Sequence, residues 1–495
     1  MNAPAPRMRP LHRWPLIAQP SNRGESVLTD ARLVNAFGEK DPNTGEYWVQ
    51  KRIGYSLDYN IIPGGATQGN GIFYFKTAQV GGFGSLAGAF AVLTNGAHAS
   101  IYNDGVVFGT PNGLDPQASG WKYYFQPTPS TLVFASDGTM YYTSSSSAYA
   151  TPTLPGTRGS FIRGLAYLDQ TVYFMDEKGQ IFGSALDNPA SWTTTNKVIA
   201  NAIPGEAIIL TQQLNYVIAL KENSMEVFYD ANNPPPGSPL SPLAGALSNY
   251  GALKGTAQTI DDILIFATAN RTVSPQIVRV DNLQITPISP PPIERILDPL
   301  LTQNPTVLYS WTFKHGGHRF YGITYQGSGL DITSPRFTLV YDIDQNLWYQ
   351  WSSPGDTLWR VTGMAYDSNS RHVLQGIYDG SVYFFEGDYE FPTDNGVVAP
   401  VHIYTPNVDF GTRNRKILNK MYFNSDQQTG SYLYVSRSDD DYQHWSIPRR
   451  VDMGKRRPEL RDEGTFTRRA YHFAHMSPTP FRIRSVDLSM SIGVS

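Results

Sequence analysis

Residues 165–187 read LAYLDQTVYFMDEKGQIFGSALD: an apolar run, a polar turn, a second apolar run and another turn. Residues 210–230 (LTQQLNYVIALKENSMEVFYD), 257–281 (AQTIDDILIFATANRTVSPQIVRVD) and 363–387 (GMAYDSNSRHVLQGIYDGSVYFFEG) repeat that outline. Their starts lie about 45 residues apart, with one longer step of about 100 that has room for another unit. Consecutive hairpins with a period of about 40–50 residues are the signature of propeller blades. The expected fold class is therefore all-β: a β-propeller of about six blades with a smaller C-terminal β-domain. A propeller hosts many functions, so function has to be sought in what is attached to it.

The chain has 495 residues, more than one ordinary core accommodates. Tyr 30, Phe 24 and Trp 9 favour pleated surfaces, and Gly 44 with Pro 36 supply the turns that many short strands need. The absence of cysteine removes disulfides, thiolate metal sites and cysteine nucleophiles together. It suits synthesis in a reducing cytosol. No apolar run reaches the roughly 18 residues that span a bilayer, and MNAPAPRMRPLHRWPL lacks the apolar core of a secretory signal. The net charge of −3 conceals an asymmetry: residues 411–495 carry +6 and the remainder −9. The basic end is expected to be a solvated face, or a docking surface for an acidic partner or for DNA phosphates.

Residues 1–57 read as an N-terminal arm and strap strand, 58–394 as the propeller, and 395–495 as a basic C-terminal β-domain for docking. Asn103-Asp104-Gly105, Asp137-Gly138 and Asp379-Gly380 are hairpin signals between apolar flanks. Residues 232–245 (NNPPPGSPLSPLAG) interrupt the pattern, because proline fixes φ and donates no hydrogen bond. Asn232, Pro234, Pro235, Pro236, Pro239 and Pro242 are thus expected in a projecting loop that contacts a channel or a neighbouring subunit. Residues 290–301 (PPPIERILDPLL) hold a helix candidate of one or two turns, with Ile293, Ile296, Leu297 and Leu300 at helical spacing.

Three stretches carry a family resemblance. Residues 32–58 (RLVNAFGEKDPNTGEYWVQKRIGYSLD) contain Arg32, Asn35, Gly54 and Tyr55; residues 224–230 (SMEVFYD) precede the proline loop. The C-terminal stretch contains Trp445, Ser446, Pro448 and Arg449, then Gly454, Lys455 and Arg456, then Arg468 and Arg469, and a closing strand with Phe481, Arg482 and Arg484. In that order these motifs resemble the packaged-DNA stabilisation, or tail nozzle, proteins of short-tailed bacteriophages. Residues 472–480 (HFAHMSPTP) depart from the Gly-Arg-containing turn of that family. The resemblance implies a structural virion protein of the tail: a hexameric ring that prolongs the DNA exit channel, retains packaged DNA and docks spikes or fibres. It implies portal and adaptor partners, and genomic DNA passing without sequence-specific binding. No membrane insertion is expected.

Catalytic and cofactor signatures are weak, so no enzyme activity, metal or cofactor is expected. No Walker loop, Gly-x-Ser-x-Gly elbow or His-Glu-x-x-His motif occurs. His315/His318 in KHGGHRF read as solvated imidazoles at a Gly-Gly hairpin tip, and His472/His475 point to opposite faces of a strand. Residues 438–445 (SDDDYQHW) partly fit the Asp-box turn of sialidases, with Ser438, Asp440 and Trp445 in place; that box is structural. Asp261-Asp262, Asp342/Asp344 and Glu386/Asp388 are carboxylate pairs best read as turn residues. The main candidates are Arg449, Arg450, Lys455, Arg456, Arg457, Arg461, Arg468, Arg469, Arg482 and Arg484, all within 36 residues. Their guanidinium forks suit protein docking, internal ion pairs or DNA contact. A channel through which DNA slides should not grip phosphates, which favours docking. Two rival functions are a glycan-binding propeller using Trp348, Tyr349, Trp351 and Trp359, and a propeller glycosidase. The same aromatics also suit cross-strand core pairs.

Overall fold

The computed structural model describes residues 12–23, 28–57, 68–75, 89–95, 99–103, 106–107, 123–136, 138–143, 149–268, 275–302, 308–327, 336–366, 372–378, 380–385 and 392–493. It is nearly all-β, with one helix among the described residues. No helix among them is long and apolar enough to cross a membrane. The chain divides into two compact units: residues 1–55, 337–357 and 386–495 form the first, and 56–336 with 358–385 the second. Residues 337–357 and 386–394, expected within a 58–394 propeller, thus belong with the N-terminal arm and the basic end. Their hairpin pattern matches the rest, so only long-range pairing reveals where they belong.

In the second unit the described strands form seven small antiparallel groups. The first is Gln68–Phe75, Ala89–Asn95, Ala99–Asn103 and Val106–Val107. Tyr124–Pro127, Leu132–Ser136 and Thr139–Thr143 form the second. The third is Ile162–Leu168, Thr171–Asp176, Gln180–Ala185 and Asn188–Ile199; the fourth is Ala207–Gln213, Tyr216–Lys221, Met225–Asp230 and Leu240–Pro242. The fifth is Gln258–Ile260, Ile263–Ala267, Ile277–Asp281 and Gln284–Pro287. The sixth is the hairpin Leu308–His315/His318–Tyr325, which fills the long step in the sequence period. The seventh is Val361–Tyr366, His372–Gly376 and Val382–Phe384, joined by Ser56–Leu57 from the start of the unit. The first strands of these groups touch in succession, and Val361–Tyr366 touches Gln68–Phe75 in turn.

The apolar runs fill the layers between adjacent groups. Phe174, Phe182 and Leu165 pack with Val133 and Met140, and Tyr173, Met175 and Ile181 pack with Leu210 and Val217. Leu220 and Val227 pack with Leu264, Phe266 and Val278. This explains why Thr171–Asp176 and Ile263–Ala267 are buried on both faces while Asn188–Ile199 at an edge is largely exposed. Gly164 sits at the closest approach of the third and fourth groups, paired in parallel with Leu210. Its φ is +84°, and a Cβ there would lie 2.4 Å from the Leu210 carbonyl oxygen, so only glycine fits. The buried Gln213 side chain donates to the Asp262 and Val280 carbonyls at 2.7 and 2.8 Å and ties the fourth group to the fifth. The helix Pro291–Thr302 is longer than expected, three turns rather than one or two, and buries Ile293, Ile296 and Leu297.

Of the hairpin signals, Asp104, Gly105, Asp137 and Asp379 lie outside the described residues. Asn103 pairs with Val106 across the first of these turns. The proline segment differs from the expectation. Leu240–Pro242 pairs with Phe228–Asp230 as an edge strand, and Leu240 is buried in the core between the third and fourth groups. Pro242 at an edge strand needs no N–H, which is why the sequence allows it. Asn233 closes the loop by donating to Ser241 Oγ at 3.0 Å and to the Ser238 carbonyl at 3.2 Å. Only 232–237 is a fully exposed run. Shortening 234–237 to a Gly-containing turn should change the unfolding free energy by less than about 1 kcal/mol. Leu240→Ala should lower it by about 2–4 kcal/mol; thermal denaturation of both variants separates the tip from the strand.

The first unit contains two larger sheets. In one, Arg482–Ile492 is the spine: it pairs with Lys416–Ser425, with Tyr47–Lys51 and with the arm strand His12–Trp14. Ala36–Lys40, Glu459–Arg461 and Thr465–Phe466 complete it. In the other, the order is Phe337–Asp342, Leu347–Gln350, Arg32–Val34, Val401–Tyr404, Ala470–His475, Tyr432–Ser438 and Arg449–Asp452. Trp14, 1 % exposed, packs edge-on against Phe410 and Tyr471 and donates its indole N–H to Thr405 Oγ1 at 2.9 Å. The arm is thereby anchored by burial as well as by its ladder.

Candidate functional site

The arginine-rich segment is spread over both sheets of the first unit, with Arg449 and Arg450 on the edge strand of the second and Arg461, Arg482 and Arg484 on strands of the first, and most of its cations are committed within the chain. Arg469 is 1 % exposed. It forks onto Asp439 with Nε–Oδ1 at 2.6 Å and Nη2–Oδ2 at 2.8 Å, donates to the Glu463 carbonyl at 2.7 Å and lies over the Phe466 ring. Arg449 reaches Glu463 Oε1 at 2.6 Å and the Arg461 carbonyl at 2.7 Å, and Arg437 reaches the other Glu463 oxygen at 3.3 Å. Glu463 is itself buried, so its charge is offset by two guanidinium groups. Arg468 pairs with Asp441, and Arg461 with Glu459. Arg482 donates to Asp426 Oδ2 at 2.8 Å; Arg484 stands 4.0 Å from the same carboxylate, and both cover the Trp48 ring. Arg450 lies over Tyr432. Docking through Arg469 is thereby corrected: its fork is buried and used.

Lys455, Arg456 and Arg457 differ. They follow Gly454 in the turn after Arg449–Asp452, all three are exposed, and no ion pair or ring contact engages them among the described residues. Ile447 beside this edge is 87 % exposed. Among the candidate cations these three are exposed without an ion pair inside the described chain, which leaves them available to a partner.

A second constellation was not legible as such. Arg52 is 2 % exposed and forms a fork with Asp394, Nη1–Oδ1 at 2.8 Å and Nη2–Oδ2 at 2.6 Å. Its remaining donors go to Asn35 Oδ1 at 2.9 Å and to the Ser352 and Ile53 carbonyls at 2.8 and 3.0 Å. Asn35 adopts φ 55°, donates to the Pro400 carbonyl at 2.9 Å and accepts from the Ser352 N–H at 2.8 Å. Gly54 lies against Thr393, where a Cβ would meet its carbonyl oxygen at 2.0 Å. Asn35 and Gly54 therefore brace a buried ion pair that joins three distant segments. Arg52 follows Lys51 in WVQKRIGY, so nothing in its sequence neighbourhood set it apart.

The Asp triplet 439–441 divides its work: Asp439 and Asp441 hold Arg469 and Arg468, while Asp440 closes the turn. Asp440 Oδ1 accepts from Ser438 Oγ at 2.9 Å and from the His444 N–H at 3.0 Å, and Trp445 packs on Tyr404 and His472. The His444 side chain and backbone donors hold the Asp440 carboxyl down to about 2. That is the Asp-box arrangement. Among the described residues no group of three metal-ligating side chains converges. Asp261 pairs with Lys314 and Arg319, and Asp342 accepts from the Asp344 and Gln345 N–H groups in its turn. Glu386 and Asp388 lie outside the described residues. His318, expected to be solvated, is buried and stacked on Phe320. Trp348, Tyr349, Trp351 and Trp359 are each at most 2 % exposed and are core, which removes them as a glycan platform.

His472 and His475 point to opposite faces. His472 Nε2 lies 3.0 Å from His402 Nδ1, beneath Tyr404 and near Arg32; His475 bonds Ser431 Oγ at 2.9 Å and stacks on Phe481. Burial first, then Arg32, pushes His402 down to about 4; burial, then His402 and Arg32, pushes His472 to about 3. Burial and then Lys51 push His475 to about 3. All three are depressed below the ordinary value of about 6.5, so the unfolded chain binds the extra protons. Stability is full above about pH 6.5 and is lost as pH falls towards 3–4. Unfolding at pH 7.5 and pH 5 should differ by on the order of 1–2 kcal/mol per imidazole, and His402→Phe should reduce that slope. A slope unchanged in the variant would remove His402 from this account.

No family model matches the chain, and no curated protein does. The solved structures it is similar to include that of the computationally designed Ika8 protein, at 12 % identity over 72 % of this chain and 97 % of that one, with a TM-score of 0.35. A likeness of that size carries no argument about fold or function.

Proposed function

We propose that the chain is a structural subunit of a short-tailed bacteriophage tail, part of the nozzle or hub ring that extends the DNA exit channel and carries spikes or fibres. In this reading the seven strand groups of the second unit are the blades of a β-propeller, closed by Ser56–Leu57 joining the last group. The first unit is the docking platform. The observation that carries the proposal is that motifs from both ends of the chain lie in that unit: Asn35 and Gly54 with the buried Arg52–Asp394 pair, and Arg449 and Arg469 on Glu463, with Trp445 packed on Tyr404 and His472. Exposed Lys455, Arg456 and Arg457 supply a cationic surface for portal, adaptor or neighbouring subunits. The cavity within the second unit, about 430 Å³, is far too small for a duplex whose major groove alone is about 12 Å wide. In this reading genomic DNA passes through the lumen of a ring of subunits.

Electron microscopy of particles that contain this chain provides the test, with sixfold density at the exit channel labelled by an antibody to the chain as the expected result. Peripheral fibre density, or the chain in the culture medium and absent from particles, would overturn the proposal.

A further inference from the structure

The cavity of the second unit has a chemistry of its own. Residues from the first strand of every one of the seven groups, or from its N-terminal shoulder, line its volume of about 430 Å³. That volume lies within the range of about 300–1,000 Å³ typical of small-molecule sites. Among the described residues, no Asp, Glu, Lys, Arg or His lines it. A charged ligand would lose its hydration there without a counter-charge. The wall is nevertheless polar, with Gln126, Gln212, Gln258, Thr211, Thr259 and Thr312 on it.

These groups keep hydrogen-bonding capacity. Gln126, Gln212 and Gln258 each donate through Nε2 to a carbonyl, those of Pro127, Leu214 and Ser310, at 3.1, 3.2 and 3.0 Å. These bonds use the amide nitrogens, and the side-chain carbonyl oxygens keep their capacity to accept. The Thr211 and Thr259 hydroxyls stand 3.4 Å apart, a loose contact that a ligand hydroxyl can replace. Amides and hydroxyls both donate and accept, as sugar hydroxyls do. Phe73 and Phe125, stacked at 5.4 Å between centroids, add an apolar face to the wall. A purely apolar ligand would leave the amides and hydroxyls unpaired. A nucleobase, with fixed donor and acceptor edges, matches such a wall less well than a polyol.

We propose that this cavity is a binding site for a neutral carbohydrate of one or two rings. The site belongs to the second unit and does not rest on the tail reading, so it stands or fails separately from it.

Calorimetric titration of the full chain with the neutral disaccharides maltose, cellobiose, lactose and trehalose should give saturable heat for at least one, with a dissociation constant on the order of 1 mM or below. Glucuronate, adenosine and 1,6-hexanediol should give none. Gln212→Leu and Thr312→Val should each weaken the sugar about threefold to tenfold with an unchanged thermal midpoint. On the unmodified chain, the sugar should slow amide hydrogen exchange in 209–212, 257–259 and 310–312. The proposal is overturned by the absence of saturation with all four sugars, or by stronger binding of a control. It is also overturned by protection confined to other segments, or by affinity unchanged in every variant that folds.

Discussion

Asp394→Ala should lower the unfolding free energy by about 3–5 kcal/mol, the largest effect expected of any single surface-distant polar change in this chain. Arg52 and Asp394 are 2 % and 4 % exposed, so removing the carboxylate leaves a guanidinium that water does not reach. The loss reflects that uncompensated charge more than the net contribution of the pair. Replacing both partners, as Arg52→Met with Asp394→Leu, should therefore recover part of it. Recovery stays incomplete, because Asn35 Oδ1 and the Ser352 and Ile53 carbonyls also lose their donor. Denaturant unfolding of the two singles and the double, with the slope checked for constancy, gives the coupling. A loss below about 1 kcal/mol for Asp394→Ala would mean that the segments are held together without this network.

The second large contrast lies among the arginines. Arg469→Glu should destabilise the first unit by about 3 kcal/mol or more, since it buries a carboxylate beside Glu463 and releases Asp439. Reversing Lys455, Arg456 and Arg457 together should change stability by less than about 0.5 kcal/mol per residue, as exposed positions do. If these three dock onto an acidic partner in the proposed ring, the triple reversal should still weaken that assembly at least tenfold. The deficit should shrink as salt rises and screens the wild-type attraction. Sedimentation of both variants at two ionic strengths reads stability and assembly apart. Normal assembly by the stable triple variant would remove the docking role from this turn, and loss of assembly by Arg469→Glu alone would report only unfolding.

Residues 165–187 announce their sheet because local rules suffice there: each apolar run is a whole strand, and the turns between them are short and polar. The hairpin at 308–325 follows the same rules, yet its place in the series depends on strands more than 50 residues away. Leu240 looked like loop because four prolines, Pro234, Pro235, Pro236 and Pro239, precede it; an edge strand needs few N–H donors and tolerates proline. Arg52 and Arg469 read like any other cations, since a side chain's partner in a sheet is set by register across the fold and not by its neighbours in sequence. Burial cannot be read from residue type alone either: Lys51, pushed down to about 7 by burial and by Arg52, occupies a site that composition reserves for apolar groups.

By itself the sequence determined the β class, the hairpin period and the basic C-terminal end, all properties of residues within a few positions of one another. The tertiary structure alone decided that residues 337–357 join the two ends of the chain, and that most arginines are spent on Asp439, Asp441, Glu463 and Asp426 while Lys455, Arg456 and Arg457 stay in water. The physical reason is that a strand's apolar pattern says it must be covered, whereas the ladder and the charges that cover it come from segments up to several hundred residues away.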